Sequence, residues 1–317
     1  MEKNKVPIII ASCISTFVAI SALLAFADFT TMAKGSASSL NWMKNIDGEK
    51  YISEISLPGS HDSGAKYSIG DLSGKCQDVE IATQLTYGVR FLDIRLQYNG
   101  PGDFSIIHGI VDERRSYRDI HGDCIGFLER NPSETIIMSV KNEAGKNDDV
   151  FAAEFEKIID EHSDYWYVGN DIPKLDQVRG KIVLFARYKN NNYGVSLGSD
   201  WRDPGSPDDH NTFDIVRDPY TYHIQDHYSL NKVEDKWQEA EECFTYTSNN
   251  TDKNVYCINF LSGVLKSGFP PTYSVPVAKY MNKQFLKEYK NYSSMGTVLF
   301  DFVSEDLAKA VYERNFS

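Results

Sequence analysis

Apolar and polar positions along the chain fall into short runs that alternate between two periods. Continuous or alternating apolar runs near Glu54–Leu57, Val89–Leu96, Ser105–His108, Thr135–Lys141, Lys181–Arg187, Tyr222–Asp226, Val255–Phe260 and Thr297–Val303 predict eight strands. Several are apolar throughout, as in Ile182-Val183-Leu184-Phe185. A strand covered on both faces needs that pattern, as in a parallel sheet under helices. Helical spacing predicts helices over Tyr117–Arg130, Val150–His162, Leu230–Thr247, Val275–Tyr289 and Glu305–Asn315, with a shorter one around Asp78–Tyr87. Only a short polar loop fits between the second and third strands, so one helix is missing there. The alternation predicts an α/β fold, a single and somewhat irregular (β/α)8 barrel.

The first 27 residues differ from the rest. Lys3 and Lys5 precede a largely apolar run from Val6 to Phe26, which ends Ala25-Phe26-Ala27 before Asp28. This pattern predicts a secretory signal peptide, and hence a secreted protein. A retained membrane anchor facing outward is the alternative, because the run approaches the length that spans a bilayer. Residues 28–41, small and polar in their middle, read as a linker. Residues 42–317 then form one catalytic barrel, with no second linker or internal repeat. The 317 residues are 41% hydrophobic and 25% charged, enough to build a core, and the net charge is -12. Such an acidic chain is poorly suited to nucleic acid, whose phosphates call for clustered Lys and Arg. Nor does its overall charge draw it to anionic membranes. Cys76, Cys124, Cys243 and Cys257 lie outside the export segment. They permit disulfides in three pairings, or buried free thiols. None has zinc-finger spacing.

The polar residues sharpen the picture. Nearly every apolar run has a titratable group at or near its C-terminal end. These are His61, Asp62, Asp93, Arg95, His108, Lys141, Arg187, Asp226, Tyr228 and Asp301. In a parallel barrel those ends converge on one face, where active sites form. Each residue also has a purely structural reading. His61 and His108 suit solvated turns. Arg95 suits an ion pair with Asp93 or Asp62, and Lys141, Arg187 and Asp226 suit rim charges. Asp301 suits a cap on the helix from Glu305. Together, two histidines and an arginine form a set for phosphodiester cleavage. One imidazole takes a proton from the attacking hydroxyl and the other gives one to the leaving oxygen. The guanidinium fork meets the phosphate.

The runs Leu57-Pro58-Gly59-Ser60-His61-Asp62-Ser63, Phe91-Leu92-Asp93-Ile94-Arg95 and His108-Gly109 resemble those of bacterial phosphatidylinositol-specific phospholipase C, a PI-PLC X-domain family. So do Asn131 to Ser139, Arg179 to Leu184, and Gln225-Asp226-His227-Tyr228. The resemblance extends from about Trp42 to the C-terminus. It implies a distorted TIM barrel and a phosphatidylinositol diacylglycerol-lyase. In that reaction the inositol 2-hydroxyl attacks phosphorus, releasing diacylglycerol and a 1,2-cyclic inositol phosphate. By motif, His61 resembles the general base, His108 the general acid and Arg95 the phosphate ligand. Asp301 resembles the carboxylate that orients the base. Asp62 resembles the one that assists leaving-group protonation, and Asp93 a supporting partner. Lys141, Arg187 and Asp226 resemble the groups that hold the inositol hydroxyls, and Tyr228 the aromatic face beneath the ring.

Arg95 stands where calcium-dependent relatives place a carboxylate, so the reading is a metal-independent enzyme without a cofactor. Its expected partners are phosphatidylinositol or glycosylated inositol lipids and, transiently, a membrane surface, with the protein a monomer. The stretch from Ala65 to Tyr87 has no Trp, and Val264, Leu265 and Phe269 offer a modest apolar rim, which implies weak membrane affinity. Two readings compete: a metal-dependent glycerophosphodiesterase on a similar barrel, and a non-catalytic surface protein that binds lipid or inositol.

Overall fold

A computed structural model describes residues 37–67, 74–146, 148–189, 193–204, 206–268 and 273–317. The export segment and Phe269 lie outside them. In chain order the described strands are β1 (Leu57–Ser60), β2 (Phe91–Gly100), β3 (Asp103–His108), β4 (Val111–Ser116), β5 (Ile136–Asn142), β6 (Trp166–Tyr167) and β7 (Ile182–Arg187). They continue as β8 (Val195–Ser196), β9 (Thr212–Arg217), β10 (Tyr220–Gln225), β11 (Ser229–Leu230), β12 (Val255–Phe260), β13 (Val264–Leu265) and β14 (Thr297–Phe300). The main sheet runs β6-β7-β5-β2-β1-β14-β12-β10-β9, parallel throughout except for the last pair.

The sheet curls on itself. Phe185 of β7 packs edge-on against Tyr222 of β10 and Tyr256 of β12, with ring centres 5.6 and 5.0 Å apart. These strands stand on opposite arms of the sheet path, so their contact encloses an interior. Leu57, Phe91, Ile137, Val183, Ile224, Ile258 and Leu299 fill it with them. Alternate residues, such as Leu92, Met138, Leu184 and Val298, face outward under the helices. A period-two strand between a packed interior and a helical layer is apolar on both faces, which accounts for the uninterrupted runs. Among the described residues no strand pair joins the two arms. The Arg217 side chain bridges them instead, its Nε donating to the Ser196 carbonyl at 2.7 Å. The barrel is therefore distorted.

Five long helices lie close to their predicted spans: Tyr117–Arg130, Asp148–Glu161, Val233–Asn249, Val275–Glu288 and Glu305–Tyr312. Ser304, not Asp301, caps the last by accepting from the Leu307 amide at 3.3 Å. Besides the unpredicted two-residue strands β6, β8, β11 and β13, the strands depart from expectation in three places. The first begins at Leu57, and Ile52–Glu54 forms a 3-10 turn. The predicted third strand is not a parallel stave. It folds back antiparallel on β2 and forward onto β4, a hairpin strand that the charged run Val111–Ser116 concealed. The missing helix is explained by this hairpin, since antiparallel neighbours need only a tight turn. Strand β9 was also missed, because its solvent face breaks the apolar run. The four described cysteines are buried free thiols, not disulfides.

Ser39, inside the stretch read as linker, is already buried. The fully buried Arg90 donates to the Ser39 and Leu40 carbonyls, to those of Leu85 and Val89, and to Glu134 Oε2 at 3.0 Å. Glu134 is fully buried too. Glu134→Ala leaves that guanidinium without its counter-charge. Unfolding in urea is expected to show a loss of about 3–5 kcal/mol.

Candidate active site

The sites predicted on separate strands meet in one cavity of about 450 Å³ at the C-terminal ends of the parallel strands. Period-two geometry explains the convergence. Asp93 and Arg95 share a face with interior Phe91, Lys141 with Ile137, Arg187 with Phe185, Asp226 with Ile224, and Asp301 with Leu299. On these strands the inward row is apolar low in the barrel and becomes polar at the mouth, whereas that of β12 ends on Phe260. Register sets Arg95, Lys141 and Arg187 side by side on β2, β5 and β7.

His61 follows β1. Gly59 sits so close to Leu299 and Phe91 that a Cβ there would come within 3.1 Å of each. The chain then turns at Asp62, whose φ of 40° is left-handed, a conformation that Asp tolerates better than most residues. Ser63 ties this turn to β2: its hydroxyl donates to the Ser60 carbonyl at 2.9 Å and accepts from the Asp93 amide at 2.8 Å. Gln77 fixes the neighbouring strand ends by donating to the His61 and Phe300 carbonyls at 2.7 and 2.9 Å.

His61 Nδ1 lies 2.8 Å from Asp301 Oδ1, and its Nε2 lies 2.7 Å from Arg95 Nη2. A guanidinium only donates, so Nε2 carries the lone pair and Nδ1 the proton given to Asp301. Burial pulls the His61 pKa down most strongly and Arg95 adds to it. The Asp301 charge and hydrogen bond act upward, and the net shift is upward. Arg95 also donates to Asp93 Oδ2 from Nε and Nη2, at 3.3 and 3.2 Å, and its Nε stands 3.5 Å from Asp62 Oδ2. The ion pairs expected on structural grounds alone are thus present, but within the cavity wall. Burial opposes ionisation of Asp93, yet Arg95 and Arg187 outweigh it and hold the carboxyl well below the usual range.

His108 reaches the cavity from the end of hairpin strand β3 rather than from a barrel stave. Its Nδ1 donates to the Gly74 carbonyl at 2.6 Å, and its Nε2 stands 3.6 Å from Asp62 Oδ2. Asp62 is fully buried, and among the described residues neither of its carboxylate oxygens has a hydrogen-bond partner. Burial pushes its pKa up, against the pull of Arg95 and His108.

Opposite the histidines, Arg187 donates to Asp93 Oδ1 at 3.1 Å and lies 3.6 Å over the Trp201 ring. The Trp201 indole donates to Asp226 Oδ2 at 2.9 Å, and Tyr228 donates to Asp203 Oδ1 at 2.5 Å. Arg187 and Asp226 are buried rather than rim charges. Lys141 pairs with Glu143 at 2.7 Å. Every predicted site residue is therefore at or behind the cavity wall. Sequence reading missed Glu143, Trp201, Asp203, Gln77 and Cys76. Glu143 stands two residues beyond Lys141 on the same face, a spacing that could have flagged it. Trp201 and Asp203 sit in a loop without period, so no local signal marks them. Two groups offer metal-type donors within 4.8 Å of one another: His61, Cys76 and Asp301, and Asp62, Cys76 and His108.

Residues 55–188 match the family model "Phosphatidylinositol-specific phospholipase C, X domain". The chain is 31% identical over 274 residues to a 1-phosphatidylinositol phosphodiesterase of Staphylococcus aureus (strain Newman), covering 80% of this chain and 85% of that protein. A 1-phosphatidylinositol phosphodiesterase of Listeria monocytogenes is 25% identical over 304 residues, covering 89% and 87%. A solved mutant of the phosphatidylinositol-specific phospholipase C from Staphylococcus aureus superposes with a TM-score of 0.75 at 25% identity, covering 88% of this chain and 99% of that one.

Proposed function

The chain belongs to the phosphatidylinositol-specific phospholipase C family, and from that premise we propose that it cleaves phosphatidylinositol to diacylglycerol and a 1,2-cyclic inositol phosphate. One observation carries the mechanism: His61, Arg95 and His108 line a single cavity, with the His61 lone pair against the Arg95 fork. When a phosphate enters, its oxygens compete for that fork. Arg95 turns its donors to the phosphate, and His61 Nε2 is freed to take the 2-hydroxyl proton. Asp301 holds the Nδ1 proton and stabilises the imidazolium that forms. The alkoxide attacks phosphorus, and the bond to the diacylglycerol oxygen breaks as His108 Nε2 gives that oxygen a proton. Asp62, beside Nε2, steadies the proton on its donor, and Asp93 supports Arg95. Lys141, Arg187 and Asp226 hold the inositol hydroxyls, and Tyr228 lies under the ring.

Phosphatidylinositol reaches such a pocket from a bilayer, so transient membrane contact belongs to the same reading. Ile110, at the hairpin tip two residues past His108, is 94% exposed and supplies an apolar contact beside the mouth. Among the described residues no helix is long and apolar enough to cross a membrane. Residues 1–27 export the chain, 28–41 lead into the barrel, and the protein acts outside the cell as a monomer.

Arg95 supplies a fixed positive charge at the phosphate, so turnover needs no metal. Incubation with phosphatidylinositol vesicles in EDTA is expected to yield the cyclic phosphate, read by phosphorus NMR, at the rate seen without chelator. Loss of product in EDTA would favour the metal-dependent glycerophosphodiesterase. Binding without product would favour the non-catalytic lipid-binding reading. A parallel assay with a glycosylated inositol lipid reads how much the pocket admits beyond the ring.

A further inference from the structure

Cys76 lines the cavity and has no task in the mechanism above. Its thiol is buried, and Sγ lies 3.9 Å from His108 Nδ1. A lone thiol would be packing. This one lies within 4.8 Å of ligand atoms on an imidazole and a carboxylate, His108 and Asp62, each with an unused donor. The Gly74 carbonyl takes the Nδ1 proton of His108, so Nε2 of the neutral ring presents a lone pair. Asp62 Oδ2 stands 3.6 Å from that nitrogen, too far for a hydrogen bond. Among the described residues the fully buried Asp62 has no hydrogen-bond partner on either oxygen. Two ligand atoms on a tetrahedral zinc, each bonded at about 2.0–2.1 Å, stand about 3.3 Å apart. The His108–Asp62 gap is close to that, and the thiol completes a set of three within 4.8 Å.

We infer that Cys76, His108 and Asp62 form an inhibitory site for a thiophilic divalent cation such as zinc. As the metal–sulfur bond forms, the Cys76 thiol gives its proton to solvent. Water fills the fourth position. The ligand set of sulfur, nitrogen and oxygen suits Zn²⁺ or Co²⁺, whereas Ca²⁺ and Mg²⁺ want oxygen ligands alone. Arg95 opposes any cation here, with Nε 3.5 Å from Asp62. Its charge is shared with Asp93 and Glu143, at 3.2 and 3.8 Å. Carboxylates outnumber cations around the cavity: Asp62, Asp93, Glu143, Asp203, Asp226 and Asp301 face Arg95, Lys141, Arg187 and Arg202. A cation on His108 Nε2 removes the proton donor assigned above, so the inhibitory half of the inference rests on the proposed function.

The test separates the two halves. Co²⁺ added to the metal-free protein is expected to bind once per chain, with the near-ultraviolet absorption of a cobalt–thiolate bond. Cys76→Ser is expected to lose that absorption, and His108→Ala to weaken Co²⁺ binding at least about tenfold, the floor set by losses at outlying partners of metal sites. In the vesicle assay Zn²⁺ is expected to stop wild-type turnover, with EDTA restoring it. Cys76→Ser should need at least about tenfold more Zn²⁺ for half-inhibition. Absent thiolate absorption, or absorption undiminished in Cys76→Ser, overturns the site. Thiolate absorption together with full activity keeps the site and overturns the proton-donor role of His108.

Discussion

His61→Ala is expected to lower phosphatidylinositol cleavage by about 10²–10⁴-fold, the contribution of a positioned acid or base. His108→Ala is expected to fall by a similar factor. In the proposed mechanism the two act at opposite ends of one displacement, so neither substitutes for the other. His61 is the better base because its proton and its lone pair are both assigned: Nδ1 is committed to Asp301, and Nε2 faces the fork that the phosphate will occupy. Removing the ring leaves Asp301 Oδ1 buried without a partner, which costs about 1–3 kcal/mol. A melt followed by circular dichroism therefore accompanies the rate measurement, and the variant is expected to stay folded at assay temperature. Near-normal turnover in either variant would refute the role given to that histidine.

Arg95→Lys is expected to cost about 10²–10³-fold in turnover, comparable to losing an oxyanion donor. Charge is retained, so the loss isolates geometry. The guanidinium places donors at once on Asp93 and His61, with Asp62 and Glu143 beside it. An ammonium is a point charge on a flexible stem and cannot span those positions or present a planar pair to a phosphate. Full activity in the lysine variant would mean that only the net charge at this position matters.

These two residues also show how far the chain alone could be read. Arg95 lies in an alternating stretch in which Phe91, Asp93 and Arg95 share one face. Period two puts polar groups on the inward row as soon as the row is known to be inward. The same holds for Lys141, Arg187, Asp226 and Asp301. His108 was found by motif and misplaced by topology. Its strand looks like another stave, because a hairpin strand packed under helices is as apolar as a parallel one. Cys76, Gln77 and Trp201 left no usable trace. Cys76 and Gln77 lie in the irregular stretch before the helix at Ile81, and Trp201 lies in a loop. Their meaning depends on which distant backbone they meet, as when Gln77 ties the end of β1 to the end of β14.

Local period is enough to fix the layered α/β architecture, the helix spans and the residue types gathered at the strand ends. Burial on both faces of a strand and on one face of a helix writes itself into local period. Contacts across the fold set the turn-back of β3, the meeting of the two arms of the sheet through Phe185, Tyr222 and Tyr256, and the approach of the Cys76 thiol to within 4.8 Å of both histidines. Those facts depend on contacts between residues far apart in the chain, and local period carries no information about which distant segments will touch.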